Sequence, residues 1–275
     1  MKSKRYGQIA LNGLLLVLIV INVFPILWMI SSAFKLPDEL FTQEIRLIPL
    51  HPTLDNFKTA LFEYDFFSWL FNSVGTTLGM AFLQVIVAVL AAFALTYYRT
   101  RFNKFWFAFI IATMVIPFQV TMIPNYILVS RANMLNTWSS VIIPGIANAT
   151  TFYFLFQHMR SVPKTFYEVS RLEGAGSFWA LRHVALGICK GAISAMLILC
   201  VIDAWNQYFW PLLVLSKPES RTLTVGLQQF LDHEAGNRWG PFMATATLAS
   251  LPVMLIYIGI QRNIIEAFVA SGIKG

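Results

Sequence analysis

Apolar residues along this chain gather into six long runs, at about 9–33, 69–97, 105–129, 138–159, 188–215 and 242–261, with shorter polar stretches between them. A helix needs roughly 20 apolar residues to cross the hydrocarbon core of a bilayer. The pattern therefore predicts an all-α polytopic membrane protein of six transmembrane helices, one membrane domain over residues 1–275, with no internal repeat and no soluble domain. The second run carries Ser73 and the small residues Gly75, Gly79, Ala81, Ala88, Ala91, Ala92 and Ala94, which suit close helix packing. The loop after the first run holds Pro37, Pro49 and Pro52. Within it Asp55–Phe62 reads as a short helix capped by Thr53 or Asp55.

Prolines punctuate five of the six runs: Pro25, Pro117 with Pro124, Pro144, Pro211 and Pro252. Each removes a backbone donor and strains the preceding turn. Broken backbone at membrane depth survives only when packed in protein or lining a wet cavity. So many breaks favour a transport pathway over an anchor.

The long polar interruption of the second half is 161–187, SVPKTFYEVSRLEGAGSFWALRHVALG. Pro163 suits the first turn of a helix continuing from Lys164 to Leu172, and Gly174 and Gly176 end it. Ser177 is placed to cap a second short helix from Phe178. Phe166, Tyr167, Leu172, Phe178, Trp179 and Leu181 set large apolar groups beside charges. Such a surface suits burial in a groove on another protein or, alternatively, contact with the membrane surface.

Charged residues make up 12% of the chain and apolar ones 57%, about half the usual soluble share of charge. The net charge of +7 comes without a basic stripe interleaved with aromatics, which argues against nucleic acid. Its distribution explains it. With the N-terminus inside, the cytoplasmic segments hold thirteen cations against three carboxylates and the outer loops seven against nine. The positive-inside rule then puts both termini and the 161–187 loop in the cytoplasm. Lys2-Ser3-Lys4-Arg5 followed by the run from Ile9 to Ala33 is too long for a secretory signal, and no small-residue cleavage site follows promptly. It reads as a first transmembrane helix that also targets the chain.

The sequence holds no G-x-x-x-x-G-K-[ST] loop, no dinucleotide fingerprint, no G-x-S-x-G elbow and no H-E-x-x-H. Cys189 and Cys200 give neither a disulfide framework nor a metal spacing, and the four histidines are scattered. Asp203 is the carboxylate placed within a run, and an ionisable group there is a candidate functional residue. At helical spacing Asp203, Asn206 or Gln207, and Trp210 share a face beside Pro211, where the helix is expected to break. That face either lines a route or meets a partner subunit, or else forms a structural hydrogen bond within the chain. Trp205, Tyr208, Phe209 and Trp210 also read as an interfacial aromatic belt. Gln119, Thr121 and Asn125 lie between or beside Pro117 and Pro124. An unwound segment there would turn them to a pathway, or use them to satisfy freed carbonyls. A stand-alone carrier or membrane enzyme is the competing class. A carrier does not need the apolar, Gly-hinged loop and usually shows an internal repeat; an enzyme usually needs paired ionisable groups at one depth.

Glu168-Val-Ser-Arg-Leu-Glu-Gly174-Ala175 resembles the cytoplasmic E-A-A-x-x-D-G-A loop of ABC-importer permeases. Glu168, Gly174, Ala175 and Leu186 match; Val169 and Ser170 replace the alanines, Glu173 the Asp, Leu181 the usual Phe and Gly187 the closing Pro. Pro52-Thr-Leu-Asp-Asn-Phe57, Asn72-Ser73, Ile116-Pro117 through Ile123-Pro124, Trp205-Asn206, Gln261-Arg262 and Gly272-Ile-Lys-Gly275 follow in the order typical of the MalG-like permeases of carbohydrate uptake. The resemblance covers essentially the whole chain. It implies a bacterial inner-membrane subunit that pairs with a second, MalF-like permease, two ATPase subunits and an extracytoplasmic solute-binding protein. ATP and Mg would be used by the ATPases, with no cofactor on this chain. The 161–187 loop would be the coupling helix, with Glu168 and Gly174 as coupling residues and Arg171, Leu172 and Ala175 beside them. A sugar or oligosaccharide is the expected cargo. Glycerol-3-phosphate is the alternative, because Trp205-Asn-Gln-Tyr-Phe-Trp-Pro211 also looks like the corresponding stretch of its permeases.

Overall fold

The computed structural model describes residues 2–42, 46–98, 100–232 and 236–272. The end of the Gly272–Gly275 motif, Arg99 and the side chains of Gln261 and Arg262 lie outside the described residues. In chain order the helices are α1 (Lys2–Ala33), α2 (Pro37–Leu40), α3 (Asp55–Phe62), α4 (Phe66–Tyr97), α5 (Asn103–Ala112, extended by a 3-10 turn, Thr113–Val115), α6 (Phe118–Arg131) and α7 (Trp138–Gly145). They continue as α8 (Ala149–Arg160), α9 (Lys164–Leu172), α10 (Ser177–Trp179), α11 (Leu186–Trp205), α12 (Phe209–Val214), α13 (Leu223–Gly226) and α14 (Trp239–Gly272). A hairpin of two-residue strands, Leu231–Asp232 and Gly236–Asn237, precedes α14. The fold is all-α.

Among the described residues four helices are singly long and apolar enough to cross a membrane: Leu11–Ala33, Phe66–Tyr97, Ser177–Trp205 and Trp239–Gly259. Two helix pairs bent at a short break bring the number to as many as six if each pair is one span. Asn103–Val115 meets Phe118–Arg131 at 98°, and Trp138–Gly145 meets Ala149–Arg160 at 49°. The runs 105–129 and 138–159, in which prolines are expected to break the backbone, are thus each bent. Proline explains the first break: Pro117 occupies the position before α6 with extended backbone (φ −62°, ψ 138°), and its ring disfavours helix in Ile116 (φ −78°, ψ 114°). Pro25, Pro124 and Pro252 stay inside continuous helices.

The chain forms two compact units, Met1–Phe67 with Gly226–Pro252, and Ser68–Val225 with Val253–Gly275. In the first, α1 exposes apolar side chains from Leu11 to Leu27 on all sides, the pattern of a helix meant for lipid or a partner. Its exit is tied down by polar groups. Asn56 donates through Nδ2 to the carbonyls of Ala33 (3.0 Å) and Lys35 (2.8 Å). Lys35 is 2% exposed; its ammonium donates to the Arg46 carbonyl at 2.6 Å and sits 4.1 Å from the Trp28 ring centre. Burial pushes the Lys35 pKa down, and the Glu39 charge pulls it back up. The α3 helix forms over Asp55–Phe62, but Leu54 and not Thr53 or Asp55 occupies its cap position, without a side-chain cap bond; the Thr53 hydroxyl accepts from the Asp55 amide just before it (3.1 Å). The Asp55 carboxylate is held by Lys58 instead of capping. Arg238 donates to Glu63 and to the Tyr64 hydroxyl, both at 3.2 Å, and fixes the start of α14.

In the second unit Ala81, Ala88 and Ala92 of α4 share one core with Phe152, Leu155 and Met159 of α8 and Cys189, Ala192 and Met196 of α11. Hydrocarbon gives helices no hydrophobic reason to associate, so close van der Waals packing by small residues does it. Gly75 shows how close. A Cβ there would lie 2.3 Å from the Trp138 ring.

Candidate functional site

Helix α9 has two faces. Tyr167 and Ser170 are buried, and Arg171, one turn on from Tyr167, stays exposed while it reaches over Tyr97. Tyr167 is buried against Tyr97 (ring centroids 5.5 Å) and Phe93 (6.3 Å). Its hydroxyl has no hydrogen-bond partner, and burial, then the neighbouring Cys189 thiol, push its pKa up to about 12. Arg171 lies over the Tyr97 ring at 4.2 Å, donates through Nε to the Tyr97 hydroxyl (3.2 Å) and through a terminal nitrogen to the Tyr97 carbonyl (3.0 Å). Phe166, Val169 and Leu172 face outward, Leu172 with 88% of its surface exposed. Glu168 is exposed and borders a groove of about 350 Å³ with Lys164, Arg171, Tyr97 and Tyr98. A second groove of about 350 Å³ is lined by Phe166, Val169, Glu173, Trp179 and Val184.

The end of α9 explains the two glycines. The Gly174 amide donates to the Arg171 carbonyl (3.0 Å) and the Ala175 amide to that of Ser170 (2.9 Å), the paired bonds of a Schellman stop. That motif needs a left-handed residue, and Gly174 has φ +78°. Ala175 is half-buried. Beyond it the structure departs from expectation. Pro163 precedes the first helical residue (φ −58°, ψ 130°). Ser177 makes no side-chain cap bond; Gly176 occupies the cap position. Nor is the second helix a separate short one. Ser177–Trp205 is a single apolar helical run, with a π-helical stretch at Ala180–Ala185. The charges of Arg182 and Lys190 hid this continuity, because both side chains are exposed on a helix whose other faces carry the core. Phe178, 73% exposed, extends the outward apolar surface past the glycines.

The candidate pathway residues are not on one face. The fifth span stops at Trp205, short of the expected 215, and Pro211 lies in the first turn of α12, where proline is tolerated. Asp203 and Asn206 are exposed, and the Asn206 amide folds back on the Ile202 carbonyl (2.8 Å). Gln207 is half-buried, its amide 3.3 Å from the Met80 sulfur. Trp210 is buried and donates to the Ser140 carbonyl (3.0 Å); it is a packing anchor. The segment between Pro117 and Pro124 is helical, not unwound. Gln119 is exposed and Asn125 half-buried on α6, while the Thr121 hydroxyl satisfies the Phe118 carbonyl (2.9 Å).

At the opposite end of α4 from Tyr97 lies a clasp that the sequence marked only through Asn72-Ser73. Trp69 donates to the Pro218 carbonyl (2.9 Å), Asn72 to the carbonyls of Glu219 (2.9 Å) and Arg221 (3.1 Å), and the Ser73 hydroxyl accepts from the Leu223 amide (2.8 Å). Trp138 donates to the Asn72 side-chain oxygen (2.8 Å). Asn136, itself left-handed (φ +61°), accepts from the Lys217 amide (2.9 Å). Beside the clasp a cavity of about 10 Å³ is lined by Ser73, Thr76, Thr77, Gln207 and Thr222. Among the described residues no three His, Cys, Asp or Glu side chains gather to hold a metal.

Residues 84–268 match the family described as the binding-protein-dependent transport system inner membrane component. The chain belongs to this family. The matched stretch takes in α8 to α12 and the whole of α9. Among relatives of this inner membrane component, the arabinooligosaccharides transport system permease protein AraQ of Halalkalibacterium halodurans is 29% identical over 93% of this chain and 92% of its own. The sn-glycerol-3-phosphate transport system permease protein UgpE of Brucella abortus is 28% identical over 95% and 96%. A putative ABC transporter permease protein of a Caldicellulosiruptor species is 32% identical over 91% of each chain. In structure, a chain from the crystal structure of a bacterial ABC transporter that imports the acidic polysaccharide alginate aligns with a TM-score of 0.86, covering 95% of this chain and 98% of that one at 22% identity. The fold is that of an ABC importer permease.

Proposed function

We propose that this inner membrane component forms half of the translocation pathway of an ATP-binding-cassette importer and receives the work of ATP hydrolysis through α9 and the turn after it. The observation that carries this reading is the outward face of that loop: Phe166, Val169, Leu172 and Phe178 are exposed beside Lys164, Glu168 and Glu173, a surface suited to a protein cleft. The other half of the pathway is a second permease chain. Two ATPase subunits, which hold ATP and Mg, seat the coupling loops, and a solute-binding protein delivers cargo from outside. Both termini and α9 are cytoplasmic, a reading supported by the thirteen cations against three carboxylates on that side. In the assembled importer Glu168→Lys places a cation in the seat of a carboxylate. ATPase co-purification and solute uptake should both fall roughly tenfold or more, and uptake at the wild-type level would refute the seat.

The cargo is a sugar or oligosaccharide. AraQ bears on this by name, and so does charge. From Gly191 to Ser216 the chain has no Lys or Arg, and the exposed carboxylate of Asp203 repels a phosphate. The candidate pathway groups Asn206, Gln207, Gln119 and Asn125 are neutral amides, which suit sugar hydroxyls. Glycerol-3-phosphate is the second reading, favoured by the similar likeness to UgpE.

A further inference from the structure

We propose that Arg171 is a positioning residue that joins the coupling helix to the end of α4 and makes α4 the rod along which its movement travels. The inference rests on the importer reading above and extends it. Tyr97 is the last residue of α4, so its carbonyl is one of the acceptors a helix leaves unsatisfied at its negative end. Arg171 satisfies that carbonyl at 3.0 Å, bonds the same residue's hydroxyl at 3.2 Å and covers its ring at 4.2 Å. A guanidinium can make all three contacts at once; an ammonium cannot. Tyr167, edge-on to Tyr97, fills the space beneath.

The alternative route for movement is soft. The covalent path from α9 to α11 passes through Gly174 and Gly176, and a Cβ at either would touch nothing within 4 Å. It then enters the π-helical stretch Ala180–Ala185, an irregular turn in the helix. By contrast α4 is one unbroken helix of 32 residues with no proline, about 48 Å of rod. Its far end holds the 216–223 loop through Trp69, Asn72 and Ser73, and Ser73, Thr76 and Thr77 line the cavity beside the helix break at Asn206–Tyr208. A shift of α9 is thereby delivered to the place where the fifth span is discontinuous.

The test uses the complete importer in vesicles, reading ATPase co-purification, ATP hydrolysis and uptake together. Arg171→Met should lower uptake roughly tenfold while the ATPase still co-purifies and hydrolyses ATP. Arg171→Lys and Tyr97→Phe each keep part of the joint and should give intermediate uptake, and Tyr97→Phe should add little in the Arg171→Met background. Unchanged uptake in Arg171→Met overturns the proposal. So does a parallel fall of uptake, co-purification and hydrolysis across the series, which would make Arg171 a support for the ATPase seat. Failure of the wild-type chain to retain an ATPase would instead bring down the importer reading and this joint with it.

Discussion

Gly174 is the residue at which sequence and backbone agree most directly. Its φ of +78° ends α9, and an ordinary side chain in that conformation costs about 1–2 kcal/mol. A Cβ would meet nothing there, so the cost is in the backbone alone. Gly174→Ala should lower stability by about 1 kcal/mol and Gly174→Asn by less, since Asn tolerates the left-handed region; Gly174→Pro, with φ fixed near −65°, should lose the turn and uptake with it. Unfolding of the purified chain and uptake by the complex read both. Glycines of this kind are legible because few residues can replace them. Trp210 was not. Its grouping with Asp203 assumed helix up to Pro211, but the helix ends at Trp205 with Asn206 closing it, and no local signal there marks a stop. Arg171 was legible as part of the loop motif, while its partner Tyr97 lies 74 residues away in sequence, beyond any spacing argument.

At the level of elements, apolar run length found the spans and proline found only some of their breaks. Pro117 and the Pro144-Gly145 end of α7 coincide with bends, whereas Pro25, Pro124 and Pro252 sit inside continuous helices. Pro117 marks a bend because Ile116 before it is extended, whereas the helix continues through the other three. The two faces of α9 follow from the same 3.6-residue repeat that pairs Tyr167 with Ser170 and Arg171. Because Phe166 and Leu172 are exposed within this chain, replacing both by Ser should leave its unfolding within about 0.5 kcal/mol of wild type. Each is a large apolar group that docking would bury, so ATPase affinity should fall by about 2–4 kcal/mol. Titration of the ATPase against the reconstituted permease measures this; equal affinity would mean the outward face is not the seat.

For the whole molecule, charge and hydropathy alone mark the class. A chain 57% apolar and 12% charged is a membrane protein, and residues 84–268 place it among the inner membrane components of binding-protein-dependent transport systems. In the proposed importer the cargo is a property of the assembled pathway, to which Asn206, Gln207, Gln119, Asn125 and Asp203 are the candidate contributions of this chain. Importer function is tested most directly in vesicles containing this chain, the proposed partner permease and the ATPase, with binding protein and radiolabelled oligosaccharide outside. Uptake should require ATP on the ATPase side, binding protein on the other and every subunit, with excess glycerol-3-phosphate not competing. ATP hydrolysis or solute movement by this chain alone would contradict it.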